Sequence, residues 1–174
     1  MTQFYSAEGQ DSFVYQYIGN KLAGHFLEVG SAMPVINNNT YLFESRFQWK
    51  GILIENDPNF VVQLRAKRSN PVVSEDATTI DYSKLFQKFN VPKRLDYLSL
   101  DIDPPSGTLA VLERLPLKEY TFTCVTFEHD RYHFGNSVAK KSREIFQDHG
   151  YTMFKKDHEC PAGPFEDWYI YEAN

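Results

Sequence analysis

The strongest indication of the fold is Phe26-Leu27-Glu28-Val29-Gly30-Ser31-Ala32, an apolar run that carries one acid and is closed by a glycine and two small residues. Its length and composition are typical of a short buried strand. Gly30 permits a close approach of the backbone, and the small residues after it leave room for a ligand. In an open α/β sheet, ligands bind beyond the carboxyl ends of the strands. We therefore predict a binding loop at Gly30.

Outward from this run, short apolar stretches bounded by turn residues predict six more strands. The seven predicted strands cover residues 26–30, 51–55, 72–74, 97–102, 121–128, 151–154 and 168–171. Runs such as Ile52-Leu53-Ile54 are apolar at successive positions, which is typical of strands covered on both faces. The sequence thus favours a parallel sheet between two layers of helices.

Helical periodicity fills the intervals between these strands. It predicts helices over 12–18, 39–47, 83–89, 106–115 and 137–149, and one that opens at Asp57-Pro58. Ser83, Ser106 and Ser137 are expected to cap their helices, and Gly150 is expected to end the last one. Strand and helix alternation predicts an α/β three-layer sandwich with a mostly parallel, seven-stranded, Rossmann-like sheet. We expect one domain over 1–174, with a helical lead-in at 1–23 and the core at 24–174.

The C-terminal strands do not fit the parallel pattern. Only a loop with proline and glycine, predicted at 157–167, separates strand 151–154 from strand 168–171. No crossover helix fits there, so the two strands should form an antiparallel hairpin. A mostly parallel sheet that closes in such a hairpin is the layout of class I methyltransferases.

Composition excludes several classes of partner. The chain has 174 residues, 42% of them hydrophobic, and a net charge of -5. Its basic clusters, such as Arg65, Lys67 and Arg68, are short and mixed with acids, which indicates solvated helix faces and argues against nucleic acid as a partner. No apolar run reaches the roughly 20 residues that span a bilayer, and no signal peptide is visible. We expect a cytoplasmic protein that binds a small molecule and no membrane; the sequence leaves the oligomeric state open.

Acids follow the strands that should reach the ligand-binding edge. Glu55 suits a carboxylate that accepts from ribose hydroxyls, and Asp76 with Ala77 suits an adenine amine beside a flat ring. The fourth strand is followed by Asp101-Ile102-Asp103-Pro104-Pro105, and the fifth ends at Glu128-His129-Asp130. Each acid alone is a weak signal, and their succession in order predicts a nucleoside site.

In order and spacing, these segments resemble the FkbM-like family of S-adenosylmethionine-dependent methyltransferases. The resemblance covers nearly the whole chain. It is carried by SAEGQD at 6–11, FLEVGSA at 26–32, NTYLFE at 39–44, WKGILIE at 49–55, DP at 57–58, DYLSLDID at 96–103, FEH at 127–129 and GY at 150–151.

The resemblance implies roles for individual residues in binding S-adenosylmethionine. The methionine part would lie beside Glu28, Gly30, Ser31 and Ala32, and the cofactor's amino-acid end would lie near Gln10, Asn39 and Thr40. Glu55 would take the ribose hydroxyls with Asn56 beside it, Asp76 and Ala77 would meet the adenine, and Asp101 would face the sulfonium. Two segments depart from the family pattern, namely Met33-Pro34 in the first loop and Asp103-Pro104-Pro105 after the fourth strand.

The acceptor side is predicted at the ends of two adjacent strands. Asp101, Asp103, Glu128 and His129 should converge there, with His129 or Asp103 as the catalytic base and Asp101 beside the reacting groups. The same four side chains could hold a divalent metal such as Mg²⁺, since hard cations prefer carboxylates and tolerate an imidazole. In the alternative interpretation, Asp101 orients the cofactor's amine and His129 makes a structural hydrogen bond.

Several functions stay open at this stage. O-methylation of a hydroxyl on a carbohydrate or another small metabolite is favoured by the family resemblance, and N-methylation fits the same residues. An NAD-dependent oxidoreductase would share the strand and loop, but its three-glycine fingerprint is absent, since the next glycine after Gly30 is Gly51. A catalytically inactive scaffold is the third possibility, and Met33-Pro34 is the feature that favours it.

Overall fold

The computed structural model describes residues 2–172, in which seven strands form one mixed sheet of order β3-β2-β1-β4-β5-β7-β6. The strands are β1 (His25–Val29), β2 (Lys50–Ile54), β3 (Val72–Val73), β4 (Arg94–Leu100), β5 (Thr121–Glu128), β6 (Thr152–Cys160) and β7 (Gly163–Ile170). The helices are α1 (Gln10–Ile18), α2 (Tyr41–Phe47), α3 (Pro58–Lys67), α4 (Tyr82–Lys88), α5 (Pro105–Arg114), α6 (Arg131–Phe134) and α7 (Ser137–Asp148).

Helices cover both faces of the sheet, which confirms the three-layer sandwich. On one face, Phe13 of α1 and Phe43 of α2 pack with Phe26 of β1 in one apolar cluster. On the other face, Leu27 of β1 packs in a second cluster with side chains of α4, α5 and α7. Neighbouring side chains of one strand therefore enter different cores, as the twofold period of a strand requires.

Strands β1 to β5 are parallel, and β7 lies antiparallel between β5 and β6, which confirms the predicted ending. The hairpin is longer than predicted. The segment 157–167 is largely strand rather than loop, and His158 pairs with Glu166 inside it. Strand β6 escaped the hydrophobic pattern because it is the exposed edge strand, where charged side chains such as Lys155 and Lys156 are tolerated and discourage further pairing.

The structure confirms one predicted N-cap residue, Asp57, and places other residues at three predicted N-cap positions. The Asp57 side chain accepts from the backbone N–H of Asn59 and caps α3 as predicted. The three serines instead lie inside the first turns of α4, α5 and α7. Their N-cap positions are held by Asp81, Pro104 and Asn136. Gly150 follows α7 at a φ of 78°, in the left-handed conformation expected of it.

Candidate active site

A cavity of about 280 Å³ opens at the carboxyl ends of β1, β2, β3 and β4. This is the edge at which an open α/β sheet binds ligands. The predicted residues that line it are Gly30, Ala32, Glu55, Asn56, Asp76, Ala77, Asp101 and Asp103. Phe60 of α3 and Ile102 also line it, and no sequence pattern indicated a role for either. The loops after four strands thus meet around one cavity.

Gly30 brings the first loop against the end of β4. Its φ is 79°, and a Cβ at this position would collide with the carbonyl oxygen of Asp101. The backbone N–H of Gly30 donates to the Ile54 carbonyl at 3.0 Å, which ties the loop to β2 as well. A glycine is therefore required here both by conformation and by space.

Glu55 holds the loops on both sides of the cavity. Its Oε2 accepts from the backbone N–H of Ala32 at 2.8 Å, and its Oε1 accepts from those of Asn56 and Asp57 at 2.8 and 2.9 Å. A carboxylate offers about four lone-pair directions. One lone-pair direction on Oε2 remains for a ligand hydroxyl. The Glu55 carboxylate therefore orders the loops around the cavity and also faces the cavity.

The far end of the cavity combines an acid with apolar surface. Oδ1 of Asp76 accepts from the N–H and the hydroxyl of Thr78, at 2.9 and 2.7 Å. These hydrogen bonds lower the pKa of Asp76, which keeps it ionised. Phe60 and Ala77 provide apolar surface beside it. An ionised acceptor beside apolar walls can hold a flat ring that carries an amine.

Glu28, which was predicted to border the methionine part, is not among the residues that line the cavity. Its carboxylate accepts from Asn38 Nδ2 at 3.1 Å and from the Thr40 hydroxyl at 2.9 Å. It also lies 3.7 Å from the guanidinium of Arg68. Burial raises the pKa of Glu28, and these three partners oppose that shift. Because Glu28 lies inside β1 with its side chain towards α2, it supports the Gly30 loop from behind.

Arg68 was expected on a solvated face and is instead buried. Its side chain bonds Glu44 at 2.8 Å, Asn38 at 3.0 Å and Thr40 at 2.9 Å. It also reaches the carbonyl of Pro34 at 3.4 Å. The sequence pattern did not reveal this role, because Arg65 and Lys67, the other cations of the basic cluster at the end of α3, are exposed.

The same network fixes the path of Met33-Pro34. The carbonyl of Met33 accepts from Asn38 Nδ2 at 3.0 Å, and the Met33 side chain is 45% exposed. Neither residue lines the cavity. The proline is thus accommodated outside the space that a ligand would occupy.

Three further predicted residues lie behind the cavity wall, namely Ser31, predicted beside the methionine part, and Gln10 and Asn39, predicted near the cofactor's amino-acid end. Ser31 is buried and its hydroxyl donates to the Glu28 carbonyl, while Asn39 donates to the Ser99 hydroxyl at 3.0 Å. Gln10, in α1, accepts from the backbone N–H of Glu8 and hydrogen-bonds to Glu166. Their side chains are engaged with the protein, and none lines the cavity.

An acid cluster adjoins the cavity where β4 and β5 end. We use "acid cluster" for Asp101, Asp103, Glu128 and Asp130. Carboxylate oxygens of the last three lie within 4.8 Å of one another, and Glu128 hydrogen-bonds to Asp101. Burial and the bond to Asp101 raise the pKa of Glu128 to about 12, and burial raises that of Asp101. These two groups thus hold a proton between them at neutral pH.

His129 does not join this cluster, so the predicted set of Asp101, Asp103, Glu128 and His129 does not assemble. Its ring is fully buried, and its Nδ1 accepts from the backbone N–H of Arg131 at 3.2 Å. Its Nε2 points to Asp167 at 3.4 Å and Asp157 at 3.7 Å. Successive side chains of a strand face opposite ways, so the residue after Glu128 turns away from it. The geometry agrees with the alternative interpretation of His129 as structural.

His129 instead belongs to what we call the paired cluster, which contains Asp157, Asp167, Arg131 and Arg143. Arg143 bonds Asp167 at 2.7 Å and Asp157 at 2.6 Å, and Arg131 bonds Asp157 at 2.7 Å. Burial alone would raise the pKa of Asp167, but hydrogen bonds from His129 and Arg143 hold it well below its usual range.

Glu166 is a buried acid that the sequence did not single out. It pairs with Glu128 across β5 and β7, so both side chains lie on the same face. The Trp168 indole donates to it at 2.6 Å, and burial raises its pKa to about 8. No signal could have found it, because the hairpin strand that carries it was predicted as loop.

Comparison with known proteins identifies the fold class. No protein-family model matches the chain, and no curated protein matches it. Solved structures do match. A candidate rRNA methylase from Clostridium thermocellum superposes with a TM-score of 0.64 at 9% identity, over 100% of this chain and 99% of that chain. A candidate methyltransferase from Streptococcus mutans, solved with S-adenosylhomocysteine, gives 0.61 at 10% identity, over 97% and 98%.

Magnesium protoporphyrin IX methyltransferase from Synechocystis, solved with bound S-adenosylmethionine, gives a TM-score of 0.58 at 10% identity, over 93% of this chain and 76% of that one. The chain therefore has the class I methyltransferase fold, with the strand order and antiparallel β7 described above. Within residues 2–172, no helix is both long and apolar enough to cross a membrane.

Proposed function

We propose that the protein is an S-adenosylmethionine-dependent methyltransferase. The observation that carries the proposal is the cavity itself, which is bounded by the Gly30 loop, Glu55 and Asp76 at the ligand-binding edge of this fold. The structural relatives that hold S-adenosylmethionine or its product support the same function. The FkbM-like resemblance of the sequence supports it independently.

The cavity residues suit the three parts of the cofactor. Glu55 offers its remaining lone-pair direction to a ribose hydroxyl. Asp76 would accept from the adenine amine while Phe60 and Ala77 contact the ring faces. The methionine part would then lie along the Gly30 loop and bring the sulfonium towards Asp101. Residues on the wall therefore give the cofactor a unique orientation, and positioning is the main requirement of methyl transfer.

The acid cluster would receive the acceptor. When bound, the cofactor supplies a methyl group that bonds to the acceptor atom as the carbon–sulfur bond breaks. The proton that leaves the acceptor passes to Asp103, which is exposed and lines the cavity. Glu128 is already protonated and His129 is turned away, so neither can take it. Asp103 is thus the proposed base.

We infer a small-molecule acceptor that presents a hydroxyl, for example a carbohydrate. The acid cluster and the net charge of -5 oppose a phosphate-rich acceptor such as nucleic acid. The resemblance to the FkbM-like family supports a hydroxyl over an amine. An assay of crude metabolite fractions with labelled S-adenosylmethionine, followed by identification of the methylated atom, separates O-methylation from N-methylation.

Binding of S-adenosylhomocysteine, measured by calorimetry, tests the proposed cofactor. We expect saturable binding of one molecule per chain and no binding of NAD. Phe60→Ala should weaken it about 10- to 100-fold, since loss of aromatic stacking on a base costs about 1–3 kcal/mol. Val62→Ala is the matched control, because Val62 lies on the same helix, is exposed and does not line the cavity. Binding of NAD alone would establish an oxidoreductase, and binding of neither ligand would favour an inactive scaffold.

A further inference from the structure

The short helix α6, which follows β5 and Asp130, exposes aromatic side chains beside the proposed acceptor position. Three of its four residues are aromatic, namely Tyr132, His133 and Phe134, and none of the four is buried. Tyr132 and Phe134 are 46% and 48% exposed. Single exposed rings are common on protein surfaces, so the position of each ring decides whether it has a role.

Contacts with the hairpin and the paired cluster fix the position of α6. The backbone N–H of Asp130 donates to the carbonyl of Phe165 at 2.9 Å, and Arg131 bonds Asp157 at 2.7 Å. Successive residues of an α-helix are rotated by about 100° around its axis. Tyr132 therefore leaves the helix on a different side from Arg131, and the anchoring of α6 does not depend on its ring.

Tyr132 lies on the side of α6 that faces the acid cluster. The negative charge of Asp130 is the main cause that raises the pKa of Tyr132; burial adds to it, and the charges of Glu128 and Asp103 act in the same direction. Solvent and salt screen charges around an exposed group, so these carboxylates must be near the phenol. Phe134, two residues further along, points to nearly the opposite side of the helix.

Gly163, the first residue of β7, makes room for the base of the Tyr132 side chain. A Cβ at Gly163 would lie 2.8 Å from the Cβ of Tyr132 and 3.6 Å from the first ring carbon, Cγ. Any other residue there would displace Tyr132, and the φ of 135° also favours glycine. The hairpin thus holds the base of the side chain, while the exposed remainder can contact a ligand.

We propose that Tyr132 is a specificity residue that stacks on one face of a carbohydrate ring in the acceptor. This inference rests on the proposed methyltransferase function and assigns the class of its acceptor. A sugar ring has an apolar face of C–H groups and a rim of hydroxyls. The apolar face fits an exposed aromatic ring, and the hydroxyls can donate to carboxylates such as Asp103 and Asp130.

Stacking on Tyr132 would also orient the acceptor for the reaction. A sugar ring held by its face can turn only its rim hydroxyls towards Asp103, the proposed base, which lines the cofactor cavity as well. Methyl transfer depends mainly on such positioning. A flat aromatic acceptor would stack equally well, but it would offer the surrounding carboxylates fewer hydroxyl donors. The observations therefore favour a carbohydrate.

Saturation-transfer difference NMR on the complex with S-adenosylhomocysteine tests the proposal. The probes are the methyl glycosides of glucose, galactose, mannose and rhamnose, each titrated alone, with catechol as the aromatic comparison. We expect at least one glycoside to bind, with stronger saturation transfer to the C–H protons of one ring face. Tyr132→Ala should weaken that binding about tenfold, because a stacking contact is lost, and Tyr132→Phe should keep it within about twofold.

Phe134→Ala is the matched control, since Phe134 lies on the same helix, is equally exposed and points to the other side. It should leave glycoside binding unchanged. Tyr132 is not among the residues that line the cofactor cavity, so all variants should bind S-adenosylhomocysteine as the wild type does. Should Tyr132→Ala not fold, Tyr132→Leu takes its place, because leucine keeps an apolar side chain against Gly163 without the ring.

Three results would overturn this inference alone, given that S-adenosylhomocysteine binds. None of the four glycosides binds, or glycoside binding survives the loss of the Tyr132 ring, or catechol binds through Tyr132 and the glycosides do not. Equal weakening by Phe134→Ala would also contradict a specific role for Tyr132. If the wild type does not bind S-adenosylhomocysteine, the proposed function itself fails, and the inference fails with it.

Discussion

Two groups of acids lie on either side of the end of β5, and they are built in opposite ways. In the paired cluster, Asp157 and Asp167 are held by Arg143, and Arg131 adds a second guanidinium. In the acid cluster, Glu128 and Asp130 meet other carboxylates, and no ion pair within residues 2–172 involves either of them. Adjacent residues of one strand end thus enter two different electrostatic environments.

The difference separates stability from function. Oppositely charged groups that satisfy one another within the fold hold the hairpin to α6 and α7, and need nothing from outside. Carboxylates that meet without a counter-charge weaken the folded state, and groups retained at such a cost are found mostly at functional sites. Three predictions test this contrast between the clusters.

Loss of the counter-charge in the paired cluster should have the largest effect. Arg143→Met leaves Asp167, whose side chain is fully buried, without its strongest partner. Removal of one member of a buried pair costs about 3–5 kcal/mol, and we expect the free energy of unfolding in urea to fall by that amount. Lys93→Met is the control, because the Lys93–Glu119 pair is exposed and should contribute about 0–1 kcal/mol. Equal losses in both variants would show that the paired cluster is not structural.

Glu166, which lies on the same face as Glu128 of the acid cluster, should make the free energy of unfolding fall as pH rises. Glu166 has a pKa of about 8 in the folded protein against 4.5 without the fold. Between these values the folded state binds more protons than the unfolded state, so the free energy of unfolding decreases with pH. Glu166→Gln should remove this part of the slope, on the order of 3 kcal/mol between pH 5 and pH 8. Urea unfolding at both pH values measures it, and parallel curves for the two proteins would contradict the assignment.

A smaller effect is expected where the first loop meets the acid cluster. Gly30→Ala places a Cβ against the Asp101 carbonyl and should weaken S-adenosylhomocysteine binding at least tenfold, about 1.4 kcal/mol. Gly135→Ala is matched to it, since Gly135 has the same φ of 79° but no atom within 4 Å of its Cβ position. Both variants carry the strain of a positive φ, and only the first has the collision. Equal affinities in the two would mean that the approach of Gly30 to Asp101 does not shape the site.

Much of the fold could be predicted because it depends on strand patterns that local sequence records. Buried strands were predictable from runs such as Ile52-Leu53-Ile54. The antiparallel ending was predictable because no crossover helix fits before β7. The extent of the hairpin was not predictable, because the exposed edge strand carries Lys155 and Lys156 where a pattern of buried residues was sought.

The candidate site divides in the same way. Residues such as Glu55 and Asp76 could be predicted because they lie at or just beyond the ends of strands, and both line the cavity. Nearness in sequence grouped His129 with Glu128, although the alternation of side chains at the end of β5 turns the two to opposite sides. Arg68 acts through contacts with loops distant in sequence, which periodicity does not reveal.

The buried guanidinium of Arg68 has a consequence for the thermodynamics of ligand binding. It ties the segment from Pro34 to Thr40 to the end of α3 by hydrogen bonds that require no ligand. The loss of conformational entropy in this loop therefore occurs when the chain folds. The segment lies behind the Gly30 loop, so a ligand that enters the cavity meets a loop whose support is already ordered. Its affinity is therefore not reduced by the ordering of that support.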